Sequence, residues 1–403
     1  MKTPEGIIVR PHYLEKVRPF MEKPLAKVFL GQRRVGKSYL LFQCLKDLKK
    51  HHAEANFIYL NKEDIEFDRI QTASDLTQWL DGQLSKSQRN YVFIDEIQEI
   101  REFEKAVRSL LLDDTLDLYV TGSNAELLSG ELGTLLAGRT LEVTVFSLSY
   151  PEFLLFHQLS DSVESLTSYL KYGGLPYLRN LPLEDEIAFE YLRNIYITIL
   201  YRDVIARHGI RSNVYLERLL HFMADNIGHL FSANRISQFL KSQKVNLSHN
   251  QIAHFTDHLC QAFIIQRARR YDIRGRRIME TGEKYYFENL GIRNILTGFR
   301  QADLGQLTEN AVYNHLRYLG YQVSVGGLDG NEIDFVAEKG NERRYLQVAL
   351  RMDSSETLQR EFGNLQKIND NYRKQVVTWE EGSTHSYEGI EHISLRRFLM
   401  SNN

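Results

Sequence analysis

Residues 31–38, Gly31-Gln32-Arg33-Arg34-Val35-Gly36-Lys37-Ser38, constrain this chain more than any other stretch of it. The pattern GxxxxGK[ST] follows an apolar run, Lys27–Leu30, and opens a segment of helical periodicity, Lys37–Leu48. A strand, a glycine loop and a helix in that order form where backbone must wrap closely around phosphate. Glycines permit the approach, while successive N–H groups and the helix N-terminus supply positive potential. Lys37 is placed to neutralise β- and γ-phosphates, and the Ser38 hydroxyl to ligate Mg²⁺. The expected cofactors are therefore ATP and Mg²⁺, held by Gly31, Gln32, Arg33, Arg34, Val35, Gly36, Lys37, Ser38 and the adjoining Tyr39. Arg33 and Arg34 face either phosphate or solvent on this reading.

The flanking pattern agrees with the loop. Apolar runs at Lys27–Leu30, Asn56–Leu60, Tyr91–Ile94, Leu118–Val120 and Leu141–Phe146 alternate with helical segments at Lys37–Leu48, Ala73–Leu84, Glu102–Leu112 and Ala125–Leu136. That alternation predicts an α/β fold with a parallel sheet between helices. The first four runs read as strands buried on both faces, and the fifth, which alternates polar with apolar residues, as a strand nearer the edge. Tyr91-Val92-Phe93-Ile94 brings Asp95 and Glu96 to the C-terminal end of a buried strand, where ligands sit in open α/β sheets. Asp95 is expected to hold the Mg²⁺ shell and Glu96 to orient and deprotonate the attacking water. The next strand ends in Thr121-Gly122-Ser123-Asn124. Ser123 and Asn124 stand where a sensor of the γ-phosphate or lytic water belongs, or cap the following helix. Arg139, just before the fifth strand, reads either as a finger reaching a neighbouring subunit's γ-phosphate or as a surface or salt-bridged arginine.

At 403 residues the chain exceeds what one core usually serves. Four regions separate: a P-loop core at 1–149, a helical lid at 150–212, a winged helix-turn-helix at 213–300 and a small α/β domain at 301–403. In the third, helices Ala233–Lys244 and Ser248–Phe263 precede strands Ile264–Tyr271 and Arg277–Phe287, read as a wing about a turn at Asp272–Gly275. The net charge of −2 excludes nucleic-acid binding by the chain as a whole, so a local patch has to supply it. Residues 266–277 do supply one, with Arg267, Arg269, Arg270, Arg274, Arg276 and Arg277 against the single acid Asp272. Arginines there suit forked contacts to DNA phosphates. The alternative is a solvated hairpin or a protein-contact wing.

In the last region Glu309, Asp334 and Gln347-Val348-Ala349 follow the order of a PD-(D/E)xK nuclease. Gln347 replaces an acid and Ala349 the lysine, which argues against metal-dependent cleavage. His254 and His258 lie at i and i+4 but read as a polar helix face. Two cysteines without a CxxC motif, no apolar signal core at the start and no bilayer-length apolar run predict a cytoplasmic protein without membrane contact.

The segments GQRRVGKS, YVFIDEIQ, TGSNAELLS and LAGRTLEVTVFSLSYPEF resemble a large prokaryotic family of AAA-like ATPases with a restriction-endonuclease-like C-terminal domain. YLKYGGLP, LYRDV, KYYFENLGIRN, ENAVYNHLRYLGY and NEIDFVAEKG extend the likeness over nearly the whole chain. The resemblance implies an AAA-type nucleotide domain, ATP hydrolysis and an arginine finger at Arg139, with Arg202 a second candidate for an interface or lid arginine. Four functions then compete: a ring-forming, homo-oligomeric DNA-binding motor or remodeller on duplex or branched DNA, a nucleotide-controlled assembly switch, the disfavoured metal-dependent nuclease, and a protein remodeller.

Overall fold

A computed structural model describes residues 4–125, 138–211, 213–242, 245, 247–279, 282–351, 355–381 and 385–401. The chain divides into two compact units, one of Met1–Phe146 with Gln261–Phe263 and one of Ser147–Cys260 with Ile264–Asn403.

The first unit is built on strands β1 (Ala26–Leu30), β2 (Asn56–Asn61), β3 (Asn90–Asp95), β4 (Leu116–Gly122) and β5 (Thr140–Thr144). They run parallel in the order β2-β3-β4-β1-β5. β1, β3 and β4 are buried at every residue, as continuous apolar runs require. β5 is an edge strand. β2, expected to be buried on both faces, is the opposite edge; Phe57 and Tyr59 are only half-buried there while Ile58 and Leu60 face the core. Its aromatic residues mimic a central strand because Phe57 stacks on Tyr91 of β3, centroids 4.9 Å apart.

Helices α1 (Pro11–Val17), α2 (Lys37–His51), α3 (Ala73–Asp81) and α4 (Phe103–Leu110) belong to this unit. A capping box between Thr72 and Asp75 starts α3. Leu76, Leu80, Val107 and Leu110 join Val28, Ile58, Val92, Ile94 and Leu118 in one core. The helix expected at Ala125–Leu136 falls outside the described residues except at its first position. A charged pair lies in this apolar sheet: Lys27 of β1 is bonded to Asp117 of β4, both fully buried.

The second unit opens with α5 (Tyr150–His157), α6 (Val163–Tyr172) and α7 (Asp185–Thr198), which continues into a π-helical stretch, Ile199–Ala206. Gly173-Gly174 breaks the helical run for a steric reason: a Cβ on Gly174 would lie 2.5 Å from the Leu148 carbonyl oxygen. Then come α8 (Asn213–Asp225), α9 (Ala233–Ser242) and α10 (His249–Gln261), followed by β6 (Ile265–Ala268), β7 (Arg270–Asp272), β8 (Arg277–Ile278) and β9 (Lys284–Phe287).

The expected single wing is divided in two. β6 pairs with β9 alone, whereas the hairpin of β7 and β8 joins the edge of a larger sheet. That sheet also contains β10 (Gln322–Leu328), β11 (Asn331–Lys339), β12 (Glu342–Ala349), β13 (Arg373–Thr378), β14 (His385–Tyr387) and β15 (Ile390–Ser394), in the order β14-β15-β13-β12-β11-β10-β7-β8. β7 runs parallel to β10 across Val325–Gly327. At this junction a Cβ on Gly326 would meet Ile333 Cβ and Val336 Cγ2 at 2.9 Å and Ile273 Cδ1 at 3.0 Å. Helices α11 (Leu290–Thr297), α12 (Leu304–Tyr318), α13 (Ser355–Gln366) and α14 (Leu395–Met400) complete the unit.

Candidate nucleotide site

The strand order sets the C-terminal ends of β1, β4 and β3 side by side. The glycine loop leaves the first, Thr121 and Ser123 end the second, and Asp95 and Glu96 end the third. The loop needs its glycines. A Cβ on Gly31 would sit 2.1 Å from the Val145 carbonyl oxygen, and Gly36 has φ +96° as it turns into α2. Arg34 also lies in the left-handed region, φ +70°, with its side chain exposed. Val35 is fully buried and its carbonyl accepts from Arg10 Nη1 at 3.0 Å. Arg10 Nη2 reaches the Phe146 carbonyl, also at 3.0 Å, so one buried guanidinium ties the loop to the end of the fifth strand's segment. Gln32 is buried and donates to the Phe263 carbonyl at 3.0 Å. Tyr39 is half exposed.

Lys37 is buried. Its ammonium donates to the carbonyls of Gly31 and Gln32 and to Ser123 Oγ, each at 3.0 Å, and stands 3.7 Å from Glu96 Oε1. Ser123 lies 2.9 and 2.8 Å from the two Glu96 carboxylate oxygens, so its hydroxyl accepts from Lys37 and donates to Glu96. Thr121 is the pin of the acidic pair: its hydroxyl donates to Asp95 Oδ1 and accepts the Glu96 N–H at 2.8 Å. Glu96 is thereby held at φ +55°, a strained backbone for a non-glycine. Tyr59 donates to Asp95 Oδ2 at 3.1 Å, and the Ser38 hydroxyl also bonds Asp95.

Burial pushes the Asp95 carboxyl up, against the bonds from Ser38 and Thr121. Burial acts the same way on Glu96, but the charges of Lys37 and Arg33, with the bonds from Gln98 and Ser123, hold it below the usual glutamate range. These charges and bonds favour the ionised form of Glu96. Arg33 is buried, its Nη1 2.7 Å from Glu63 Oε1. Asn124 is buried beside Ser123; Arg139 is exposed, contributing its backbone carbonyl to Ala26 N.

The residues fit a magnesium-bound nucleoside triphosphate. A cradle closed to any Cβ, a buried ammonium and an oxygen donor pair of Ser38 and Asp95 match phosphate and a hard cation. The sequence pattern does not mark out Arg10, Tyr59, Glu63 or Thr121 as site residues. Thr121 alone left a signal, being two residues before Ser123 in the same strand end.

Residues 23–154 match a family model described as an AAA domain, and residues 163–303 one described as a domain of unknown function, DUF8612. An uncharacterized protein of Haemophilus influenzae is 36% identical over 404 residues, covering 98% of this chain and 99% of its own length. The chain belongs to that protein's family and carries an AAA domain at residues 23–154. An uncharacterized protein of Methanocaldococcus jannaschii is 28% identical over 392 residues, covering 92% of this chain and 84% of its own. Among solved structures, the Walker-type ATPase PABY2304 of Pyrococcus abyssi matches with a TM-score of 0.52 at 18% identity, over 72% of this chain and 96% of that one. That likeness bears on the fold.

Elsewhere in the chain, the arginine-rich segment is partly committed. Arg267 pairs with Asp257 and, at 3.2 Å, with Glu283; Arg274 pairs with Asp329 at 2.7 Å and Arg277 stands 3.8 Å from Asp272. Arg269, Arg274, Arg276 and Arg277 are exposed and Arg270 is half-buried. Arg202 is exposed on the π-helical stretch. His258 stacks on His208, centroids 3.7 Å apart, and burial pushes His208 down to about 4; no metal-holding group of His, Cys, Asp or Glu occurs among the described residues.

The nuclease-like residues do meet. Asp334 N donates to Gln347 Oε1 at 2.7 Å, Val348 N to Asp334 Oδ2 at 2.8 Å, and Gln347 Nε2 to Glu361 at 2.7 Å. A lysine from another strand stands among these acids. Buried Lys284 of β9 stands 3.0 Å from Glu309, 2.7 Å from Glu332 and 3.8 Å from Asp334. No spacing rule links residue 284 to the QVA triplet, so the sequence pattern concealed it. Among the described residues no helix is long and apolar enough to cross a membrane.

Proposed function

We propose that the chain hydrolyses ATP with Mg²⁺ and works as a homo-oligomer that acts on DNA. The observation that carries the hydrolytic part is the buried constellation at the sheet's C-terminal edge: Lys37, Ser38 with Asp95, and Glu96 tethered by Ser123. Lys37 and the loop N–H groups would bind the β- and γ-phosphates, and Ser38 and Asp95 would hold Mg²⁺. Glu96, ionised and aimed by Ser123, would take the proton of the attacking water, while Asn124 and Ser123 sense the phosphate side. When bound, the cation neutralises charge developing on the phosphoryl oxygens.

The DNA part rests on the exposed guanidinia of Arg269, Arg274, Arg276 and Arg277 on and beside the hairpin of β7 and β8, where Arg274 also pairs with Asp329. Arg267 is less available, being held by Asp257 and Glu283. Arg139, exposed next to the nucleotide unit's edge strand, is the finger offered to a neighbouring subunit.

Two measurements test this reading. Neutralising Arg274, Arg276 and Arg277 together should weaken duplex binding and reduce the slope of log K against log salt by up to ~3, about 0.9 per lost phosphate contact. An unchanged slope in fluorescence anisotropy removes the hairpin from DNA binding. Hydrolysis should rise with added DNA, and Arg139→Ala should abolish it while ATP still binds. Slow turnover indifferent to DNA, with assembly on ATP binding, is the outcome that favours the assembly switch. For the Lys284 cluster we favour a non-cleaving role, because its carboxylates already surround a protein ammonium.

A further inference from the structure

We propose that Arg33 reads the γ-phosphoryl group in cis, and that Glu63 competes with that group for it, so that the Arg33–Glu63 pair sets the preference for triphosphate over diphosphate. The proposal rests on the reading of this loop as a nucleotide site and deepens it.

Three observations lead there. Arg33 and Arg34 are adjacent in the loop, yet only Arg33 turns inward: its side chain is 5% exposed, whereas Arg34, at φ +70°, points to solvent. The Arg33 charge is felt by Glu96, the acid set against the attacking water, together with that of Lys37. The guanidinium is thus close enough for its charge to bear on Glu96 while it is bonded to Glu63. Finally, the two ends of the ion pair differ. Glu63 is 36% exposed, follows the end of edge strand β2, and lies in a turn closed by its own N–H to Asn61 Oδ1 at 3.0 Å.

This asymmetry makes a latch that opens at one end. Releasing Glu63 returns a carboxylate to water at small cost, since half-exposed ion pairs are weak. Arg33 has no such exit and needs an anion where it is. A γ-phosphoryl group offers more charge and forked oxygen geometry, both favoured by a guanidinium. A diphosphate lacks that group and leaves Arg33 with Glu63. Lys37 does not provide this discrimination alone, because its ammonium reaches any β-phosphate as well.

The test is calorimetric titration of the full chain with MgADP and with the magnesium complex of a non-hydrolysable ATP analogue. Glu63→Gln removes the competitor and should tighten analogue binding about two- to fivefold, leaving ADP unchanged. Arg33→Ala should lower the analogue-over-ADP preference by about tenfold or more, with Arg33→Lys recovering part of it. Glu63→Gln added to Arg33→Ala should then change nothing further. Equal shifts for both nucleotides in Glu63→Gln, or an unmoved preference in Arg33→Ala, overturn the proposal while leaving the nucleotide site standing. A wild-type chain that binds neither nucleotide overturns both. Glu63→Gln keeps the size and hydrogen-bonding reach of a half-exposed side chain, so the proposal stays testable if the Arg33→Ala loop misfolds.

Discussion

Glu96→Gln will bind MgATP about as tightly as the wild type and hydrolyse it roughly a hundred- to ten-thousandfold more slowly, the usual share of a positioned general base. The argument is local. Gln keeps the shape of Glu96 and a carbonyl oxygen that still accepts from Ser123, whose hydroxyl lies 2.9 and 2.8 Å from the two present oxygens. The phosphate cradle of Gly31–Gly36 and Lys37 is untouched, so affinity should persist. What disappears is the negative charge that Lys37 and Arg33 stabilise and that accepts a proton. Single-turnover hydrolysis and equilibrium binding, measured on the same preparation, separate the two. Full turnover in the variant would assign the base elsewhere. Loss of binding would mean that Glu96 supports the loop instead. A parallel Ser123→Ala variant should slow hydrolysis by a smaller factor, because it removes the aim but not the base.

Much of this site was legible because its parts are sequential. A loop that wraps phosphate has to be written in consecutive residues, and Asp95-Glu96 inherit their place from the apolar run before them. Order along the chain also predicted which strands alternate with which helices. What escaped was contact across long sequence separations. Arg10 precedes α1 and yet bonds Val35 and Phe146, 25 and 136 residues away. Glu63 lies in a polar turn that looks like any other. The hairpin of β7 and β8 reads with its sequence neighbours, but its partner is β10, across Val325–Gly327. Lys284 sits in an aromatic strand, KYYF, yet joins Glu309, Glu332 and Asp334, which alignment by motif order could not anticipate.

Lys27 shows the same limit in the core and supports the second large effect. It reads as the polar start of an apolar run, but the sheet buries it completely beside Asp117 of the neighbouring strand. Its ammonium also donates to the Lys23 carbonyl at 3.0 Å, and burial lowers its basicity against the pull of Asp117. Asp117 in turn accepts the Glu22 N–H at 2.9 Å and the Tyr119 hydroxyl at 2.7 Å. Every charged atom is used, so the pair is affordable only whole. Lys27→Met leaves a carboxylate buried without its cation and should destabilise the first unit by about 3–5 kcal/mol. For a unit of this size that corresponds to a melting transition lower by about 10 °C. Lys27→Met with Asp117→Leu removes both charges and should recover most of the loss, because two well-packed apolar side chains carry no desolvation penalty. The measurement is thermal unfolding of the full chain followed by circular dichroism, with MgATP added to identify the transition of the nucleotide-binding unit by its upward shift. If the double variant is no more stable than the single one, the pair contributes packing and not charge balance, and the loss in Lys27→Met comes from the Lys23 and Glu22 turn that the two side chains hold in place.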